Sequence, residues 1–92
     1  MRADAVTPEL REQVLARDTG CVAPRLGSES HCWGRLTLDH IKDRPRMARR
    51  APSDMAHLVT VCEGHSENGA RAGRQWNTAN RPRLRRYLRT GK

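Results

Sequence analysis

The sequence predicts one small α+β domain whose apolar core is too thin to hold it together alone. The chain has 92 residues, 36% of them apolar, and only three are aromatic. Domains of this size bury little apolar surface, so they usually need disulfides, a metal or a partner subunit. Two short apolar segments lie between helical patterns. No run approaches the roughly 18 apolar residues of a membrane span, and no secretory leader opens the chain, so we expect a cytoplasmic protein.

The elements are predicted in the order helix, strand, strand, helix. Thr7 is a typical helix cap and Pro8 a typical first helical residue, which predicts an N-terminal helix at 8–19. Alternating apolar and β-branched residues predict strands at 36–41 and 58–62. Asn80 caps a basic helix at 81–90. The polar segment 66–75 predicts a frayed helix or loop, and the two tryptophans, Trp33 and Trp76, are expected in the core.

The charge of the chain predicts a nucleic-acid partner. Lysine and arginine total 18 against 10 acidic residues, which gives a net charge of +8. Arginine, which dominates the excess, binds phosphate with a planar, bidentate fork. A GC-rich genome would explain part of the arginine-to-lysine ratio, but not the excess of positive charge. The candidate DNA contacts lie in a basic loop and in the terminal helix: Lys42, Arg44, Arg46, Arg49, Arg50, Arg81 and Arg85.

Three cysteines and one histidine form a candidate zinc site. An odd cysteine count argues against a disulfide framework. Cys62 and His65 are separated by two residues, so both can reach one ion from a tight turn, and Cys21 and Cys32 bracket a polar, glycine-containing segment. Three thiolates and one imidazole are a common closed set for structural zinc. The alternative is three buried free cysteines beside an unrelated histidine.

The adjacent Asp39 and His40 carry the candidate chemistry. A carboxylate is a hard oxygen ligand suited to Mg²⁺ or Mn²⁺, and a neutral imidazole can take a proton from water. Together they suit metal-assisted phosphodiester hydrolysis. Successive side chains leave opposite faces of a strand, so we expect the backbone to bend here if both act at one point.

These residues occur in an order that resembles the HNH endonuclease family. The matching segments are Leu38-Asp39-His40 and, after the basic loop, His57-Leu58-x-x-Val61-Cys62-x-x-His65. The resemblance implies a ββα-metal, treble-clef-like core at about 21–75, flanked by the two terminal helices. It implies a metal-dependent DNA endonuclease or nickase, with His40 as general base, Asp39 as ligand of one Mg²⁺ or Mn²⁺, and His57 as a support for the site.

The sequence departs from the family pattern where the last metal-binding histidine should follow the zinc knuckle. That position is Ser66. Asn68 is our first substitute, because an amide oxygen can bind a hard cation. The other substitutes are His65, which would then leave the zinc site, and the later pair Asn77 and Asn80.

The flanking segments at 36–47 and 76–82 are similar to small HNH proteins of actinobacterial phages. This similarity implies a phage or prophage protein acting in a bacterial host cell, with double-stranded DNA as the partner and a possible link to terminase and packaging proteins. No helix shows a base-reading pattern, so weak sequence specificity is expected. The alternative function is a non-catalytic, zinc-containing DNA-binding module or packaging accessory factor.

Overall fold

A computed structural model describes residues 6–42, 51–67 and 69–91 and shows a small α+β domain. Three helices surround a two-stranded sheet, and two short 3₁₀ turns lie at 23–26 and 63–65. Within these residues, no helix combines the length and the apolar character needed to cross a bilayer. The helices are α1 (Pro8–Asp18), α2 (Arg71–Ala79) and α3 (Arg81–Thr90), and the strands are β1 (Leu36–His40) and β2 (Leu58–Cys62).

The two strands form an antiparallel pair that places both candidate sites at its ends. Leu36 pairs with Cys62, and His40 pairs with Leu58. Every residue of β2 is buried, whereas in β1 only Asp39 is buried. The polar Asp39 therefore points inward, while the apolar Leu36 is 38% exposed. This arrangement places a carboxylate where a strand usually carries an apolar side chain.

The core is small, and it includes only one of the two tryptophans. Its buried residues come from β2, from the 3₁₀ turn at 23–26 and from α3, with Trp76 packed at the edge. Trp33 is 50% exposed, so its predicted place in the core is wrong. The loop before β1 contains Cys32 and holds Trp33 at the surface.

Residues 71–79 form a regular helix, α2, where the sequence predicted only a frayed helix or loop. The helix packs closely against the turn that contains Gly64. A side chain at Gly73 would come within 2.8 Å of the Gly64 carbonyl oxygen, so this approach requires glycine at position 73. The glycine that weakens a helix prediction is here the residue that lets the helix dock.

A buried carboxylate joins α1, β2 and α3. Asp18 is fully buried and accepts hydrogen bonds from the guanidinium of Arg17, from the Tyr87 hydroxyl at 2.6 Å and from the Thr60 N–H at 2.8 Å. Arg17 also donates to the carbonyl of Leu58. Burial alone would raise the pKa of Asp18, but these hydrogen bonds outweigh it and hold the pKa below its ordinary value of 3.8.

Asp18→Asn is expected to lower the free energy of unfolding by about 3 kcal/mol, because it removes a buried charge from its partners. Urea unfolding at neutral pH measures the loss. A carboxyl with a lowered folded-state pKa stabilises above its unfolded pKa, so the difference from the parent should shrink as pH falls below about 4. Tyr87→Phe, which removes one of the donors, should cost only about 1 kcal/mol. Equal costs for the two variants would contradict this role of the carboxylate.

Candidate metal centre and adjoining cleft

Four segments bring the predicted zinc ligands to one point. Cys21 follows α1, Cys32 lies in the loop before β1, Cys62 ends β2, and His65 closes the 3₁₀ turn after it. Their sulfur and ring-nitrogen atoms all lie within 4.8 Å of one another. Ten residues separate the first two cysteines, and the 3₁₀ turn at 23–26 folds the intervening segment back. The cluster can therefore hold a metal ion such as zinc.

The imidazole of His65 faces the three sulfurs. Its Nδ1 lies 3.1 Å from the sulfur of Cys62 and 3.8 Å from the sulfurs of Cys21 and Cys32. Ligand atoms on a tetrahedral zinc ion, with bonds of about 2.0–2.3 Å, stand roughly 3.5–3.8 Å apart. His65 thus belongs to the cysteine cluster, and the competing interpretation as a ligand beside Asp39 does not fit this geometry.

The surroundings of His65 favour the neutral ring that a metal requires. Burial lowers the pKa of His65. Its second nitrogen, Nε2, lies 2.8 Å from the Ser28 hydroxyl, and Trp76 packs edge-on at 4.9 Å between ring centroids. A hydrogen bond to the second ring nitrogen fixes the orientation of a metal-binding histidine. Ser28 was missed from the sequence, because one serine in a polar loop carries no signal.

The cysteines need a cation to become thiolates at neutral pH. Burial, followed by the neighbouring thiols, raises the pKa of Cys32 to about 12. Burial also raises the pKa of Cys21. Three adjacent thiolates repel one another, so their deprotonation is favourable only when a positive ion compensates the charge.

The Asp39 carboxylate lies in a dense set of hydrogen bonds. It is only 3% exposed. Four groups donate to it over 2.9–3.2 Å: the hydroxyls of Thr37 and Ser66, the backbone N–H of Glu67 and the side-chain amide of Asn77. These contacts join β1 to the segment that follows the 3₁₀ turn at 63–65 and to α2. Ser66 stands where the HNH pattern has its last histidine, and it contacts the carboxylate directly.

Asp39 and His40 line the same cleft, although they leave opposite faces of β1. The cleft has a volume of about 300 Å³, and Lys42, Glu67 and Arg81 also line it. Because β1 ends at His40, the half-buried imidazole can turn toward the cleft. Its Nε2 lies 2.8 Å from the hydroxyl of Ser53.

His57 lies next to this site but is bound to a different carboxylate. Its Nδ1 contacts a carboxylate oxygen of Asp54 at 2.7 Å. Its carbonyl oxygen accepts a 2.7 Å hydrogen bond from Ile41, the residue after His40. In the described contacts, His57 therefore joins the start of β2 to the end of β1 through its backbone, and its role as a support for the general base stays a prediction.

The asparagines predicted to replace the last metal-binding histidine differ in their contacts with Asp39. The Asn77 amide nitrogen contacts Asp39 at 3.2 Å, and its oxygen accepts from Arg81 at 2.8 Å. Asn80 donates to the Trp76 carbonyl oxygen at the end of α2. Asn68, the first choice from sequence, lies outside the described residues. Asn77 is thus the described asparagine that contacts Asp39.

Three of the predicted phosphate contacts lie on one side of the cleft: Lys42, Arg81 and Arg85. The guanidinium of Arg85 donates to the Lys42 carbonyl oxygen, and these two residues share a second cleft with Arg81. Glu67 forms a 2.5 Å ion pair with Arg81, an interaction that sequence could not indicate because α3 begins fourteen residues later. The other predicted phosphate contacts lie outside the described residues: Arg44, Arg46, Arg49 and Arg50.

Comparisons with protein-family models, with curated proteins and with solved structures found no match for this chain. Function is therefore inferred from the residues of the two sites.

Proposed function

We propose that this protein is a metal-dependent DNA endonuclease or nickase. The observation that carries the proposal is the shared cleft of Asp39 and His40, bordered by Lys42 and Arg81. A carboxylate, an imidazole and cationic side chains are the groups that phosphodiester hydrolysis requires in one place. The net charge of +8 favours association with the DNA backbone.

In this proposal His40 is the general base. When its Nε2–H donates to the Ser53 hydroxyl, the lone pair lies on Nδ1, which can take a proton from the attacking water. Arg81 and Lys42 hold the phosphate by charge at the cleft. Asn77 positions Arg81 because its amide oxygen accepts from the guanidinium.

The oxygen atoms of Asp39 and Ser66 have the chemistry that Mg²⁺ or Mn²⁺ prefers. A bound cation would neutralise charge on the scissile phosphate. Because four donors already surround the Asp39 carboxylate, at least one of them must turn away for a cation to bind.

That same set of donors supports a second candidate, a non-catalytic zinc-containing DNA-binding module. A carboxylate has about four lone-pair sites, so Asp39 is satisfied as a purely structural acceptor. This function uses the same arginines and the same cysteine cluster. A DNA-packaging partner is compatible with both the endonuclease and the binding module. The suggestion of such a partner depends only on the phage-like segments at 36–47 and 76–82.

Incubation of the purified protein with supercoiled plasmid and Mg²⁺ or Mn²⁺ distinguishes the two candidates. The endonuclease proposal predicts relaxed and then linear plasmid. Salt-sensitive binding without cleavage under either metal would overturn it in favour of the binding module.

Glu67→Gln is expected to raise the affinity for DNA about two- to fivefold at low salt. It removes the negative charge that occupies Arg81, and exposed ion pairs of this kind contribute roughly 0.2–1 kcal/mol. Fluorescence anisotropy with a labelled oligonucleotide measures the change. In an Arg81→Ala background the same substitution should gain much less, and Glu9→Gln on the exposed side of α1 is the matched control. An equal gain in both backgrounds would show that Glu67 acts by general charge and not through Arg81.

A further inference from the structure

We propose that Trp33 is a base-stacking contact for single-stranded DNA, on the surface next to the clefts that Asp39 lines. The inference deepens the proposed function by naming an unpaired strand as the preferred substrate. It depends on the DNA binding that both candidate functions share.

Trp33 is held in place on one side and open on the other. Half of the surface of Trp33, 50%, is exposed to solvent. Its carbonyl oxygen accepts from the Gly64 N–H at 3.3 Å, and the indole lies directly over Gly64. A methyl group at position 64 would come within 2.6 Å of the indole nitrogen. The turn that contains Gly64 therefore supports the indole from one side, which lowers the entropy cost of binding through the ring.

Packing of the core does not explain this tryptophan. Trp76 packs against the core and against His65, whereas Trp33 leaves half of its surface in water. A large exposed ring on a chain with a charge of +8 matches the way proteins bind single strands, with aromatic stacking platforms beside cationic grooves. Two exposed cations, Arg11 and Arg35, lie on the same stretch of surface, since Arg35 follows Trp33 by two residues and Arg11 donates to the Leu36 carbonyl oxygen.

Clefts that share lining residues extend from the basic residues of α3 past Asp39 as far as Glu63, which lies beside the loop of Trp33. The basic cleft beside α3 shares Lys42, Glu67 and Arg81 with the cleft of Asp39 and His40. The cleft of Asp39 and His40 in turn shares Leu38 and Asp39 with a third cleft, which Glu63 also lines. The Glu63 side chain packs against Gly34, the residue after Trp33. An extended segment of six residues, the separation of Trp33 and Asp39 in the sequence, spans at most about 20 Å. A short DNA strand held at Asp39 can therefore reach the Trp33 ring.

Trp33 distinguishes single-stranded from duplex DNA by geometry. An unpaired base exposes its ring face, whereas the faces of paired bases are already stacked inside the duplex. Stacking on Trp33 therefore favours single strands, flaps and bubbles over continuous duplex.

The test compares binding of a fluorescein-labelled poly-dT oligonucleotide and of a matched duplex, in EDTA-free buffer without added divalent metal. Trp33→Ala is expected to weaken binding of the single strand about fivefold to a hundredfold and to leave duplex binding nearly unchanged. Trp33→Phe should retain most of the affinity, because it keeps a stacking ring. Leu36→Ala, which removes another exposed apolar side chain, is the matched control and should bind like the parent.

Equal binding of the single strand by Trp33→Ala and the parent would overturn the inference. So would an equal loss on duplex, or a loss in Leu36→Ala as large as in Trp33→Ala, which would indicate a general apolar surface. Self-association of the parent that disappears in Trp33→Ala would identify a second copy of the chain as the occupant and would also overturn it. Because binding is measured without cleavage, the two proposals can fail separately. If the parent cuts plasmid but Trp33→Ala binds the single strand as tightly as the parent, only this inference is refuted. If the parent never cuts plasmid but Trp33→Ala loses affinity for the single strand, only the endonuclease proposal is refuted.

Discussion

Replacing Cys62 with serine is expected to cost the protein both its bound metal and its folded state. Cys62 ends the buried strand β2 and is 2% exposed, and its sulfur lies nearest to His65 among the three cysteines. Metal binding to structural zinc sites supplies about 10–16 kcal/mol in small peptides, more than the whole stability of a typical domain. Zinc content and far-ultraviolet circular dichroism should both fall, with no cooperative thermal transition above room temperature.

Ser28→Ala is the control for that result. The Ser28 hydroxyl contacts the second ring nitrogen of His65 and accepts from the Ser30 N–H, but it is not one of the four candidate ligands. Its loss should therefore weaken metal affinity roughly 10- to 100-fold while the protein stays folded in excess zinc. A Cys62→Ser protein that is metal-free yet melts at the parent temperature would show that the cluster does not stabilise the fold.

His40→Ala is expected to slow plasmid nicking by about a hundredfold or more, because removal of a general base usually costs 10²–10⁴ in rate. The variant should keep its zinc and its thermal stability, since the imidazole is only half-buried and lies outside the cysteine cluster. Its affinity for DNA should stay within about twofold of the parent, because Arg81 and Lys42 remain in place.

The matched control is His31→Ala, which removes an exposed histidine from the loop next to Cys32. It should nick plasmid at the parent rate. If His40→Ala also cuts at the parent rate, His40 is not the base, and the proposed chemistry at this cleft fails.

The elements with strong local patterns were predicted closely from the sequence. α1 spans Pro8–Asp18 against a predicted 8–19, and β2 spans Leu58–Cys62 as predicted. The cysteine cluster followed from residue type, because a thin core with three cysteines leaves few other ways to hold the chain together. These features depend on local periodicity or on scarce, chemically distinctive residues.

Features that depend on long-range packing could not be predicted. Gly73 allows α2 to pack closely against the 3₁₀ turn at 63–65. In the sequence alone, where the position of that turn is unknown, a glycine argues against a helix. Trp33 was expected in the core because tryptophan is usually buried, but its ring lies against Gly64 and the residue is 50% exposed. The contacts of Asp18 with α3 and of Glu67 with Arg81 join residues far apart in sequence, where no periodic signal exists.

We propose that the cysteine cluster stabilises the fold while the Asp39–His40 cleft cuts DNA with a second metal. The most direct measurement is the rate of plasmid nicking as Mn²⁺ is titrated into protein that carries one zinc per chain. We expect no nicking without Mn²⁺, a saturable rise in the rate as Mn²⁺ is added, and a zinc content that stays at one per chain throughout. Nicking that needs no added metal, or no nicking at any Mn²⁺ concentration by protein that still binds DNA, would contradict it.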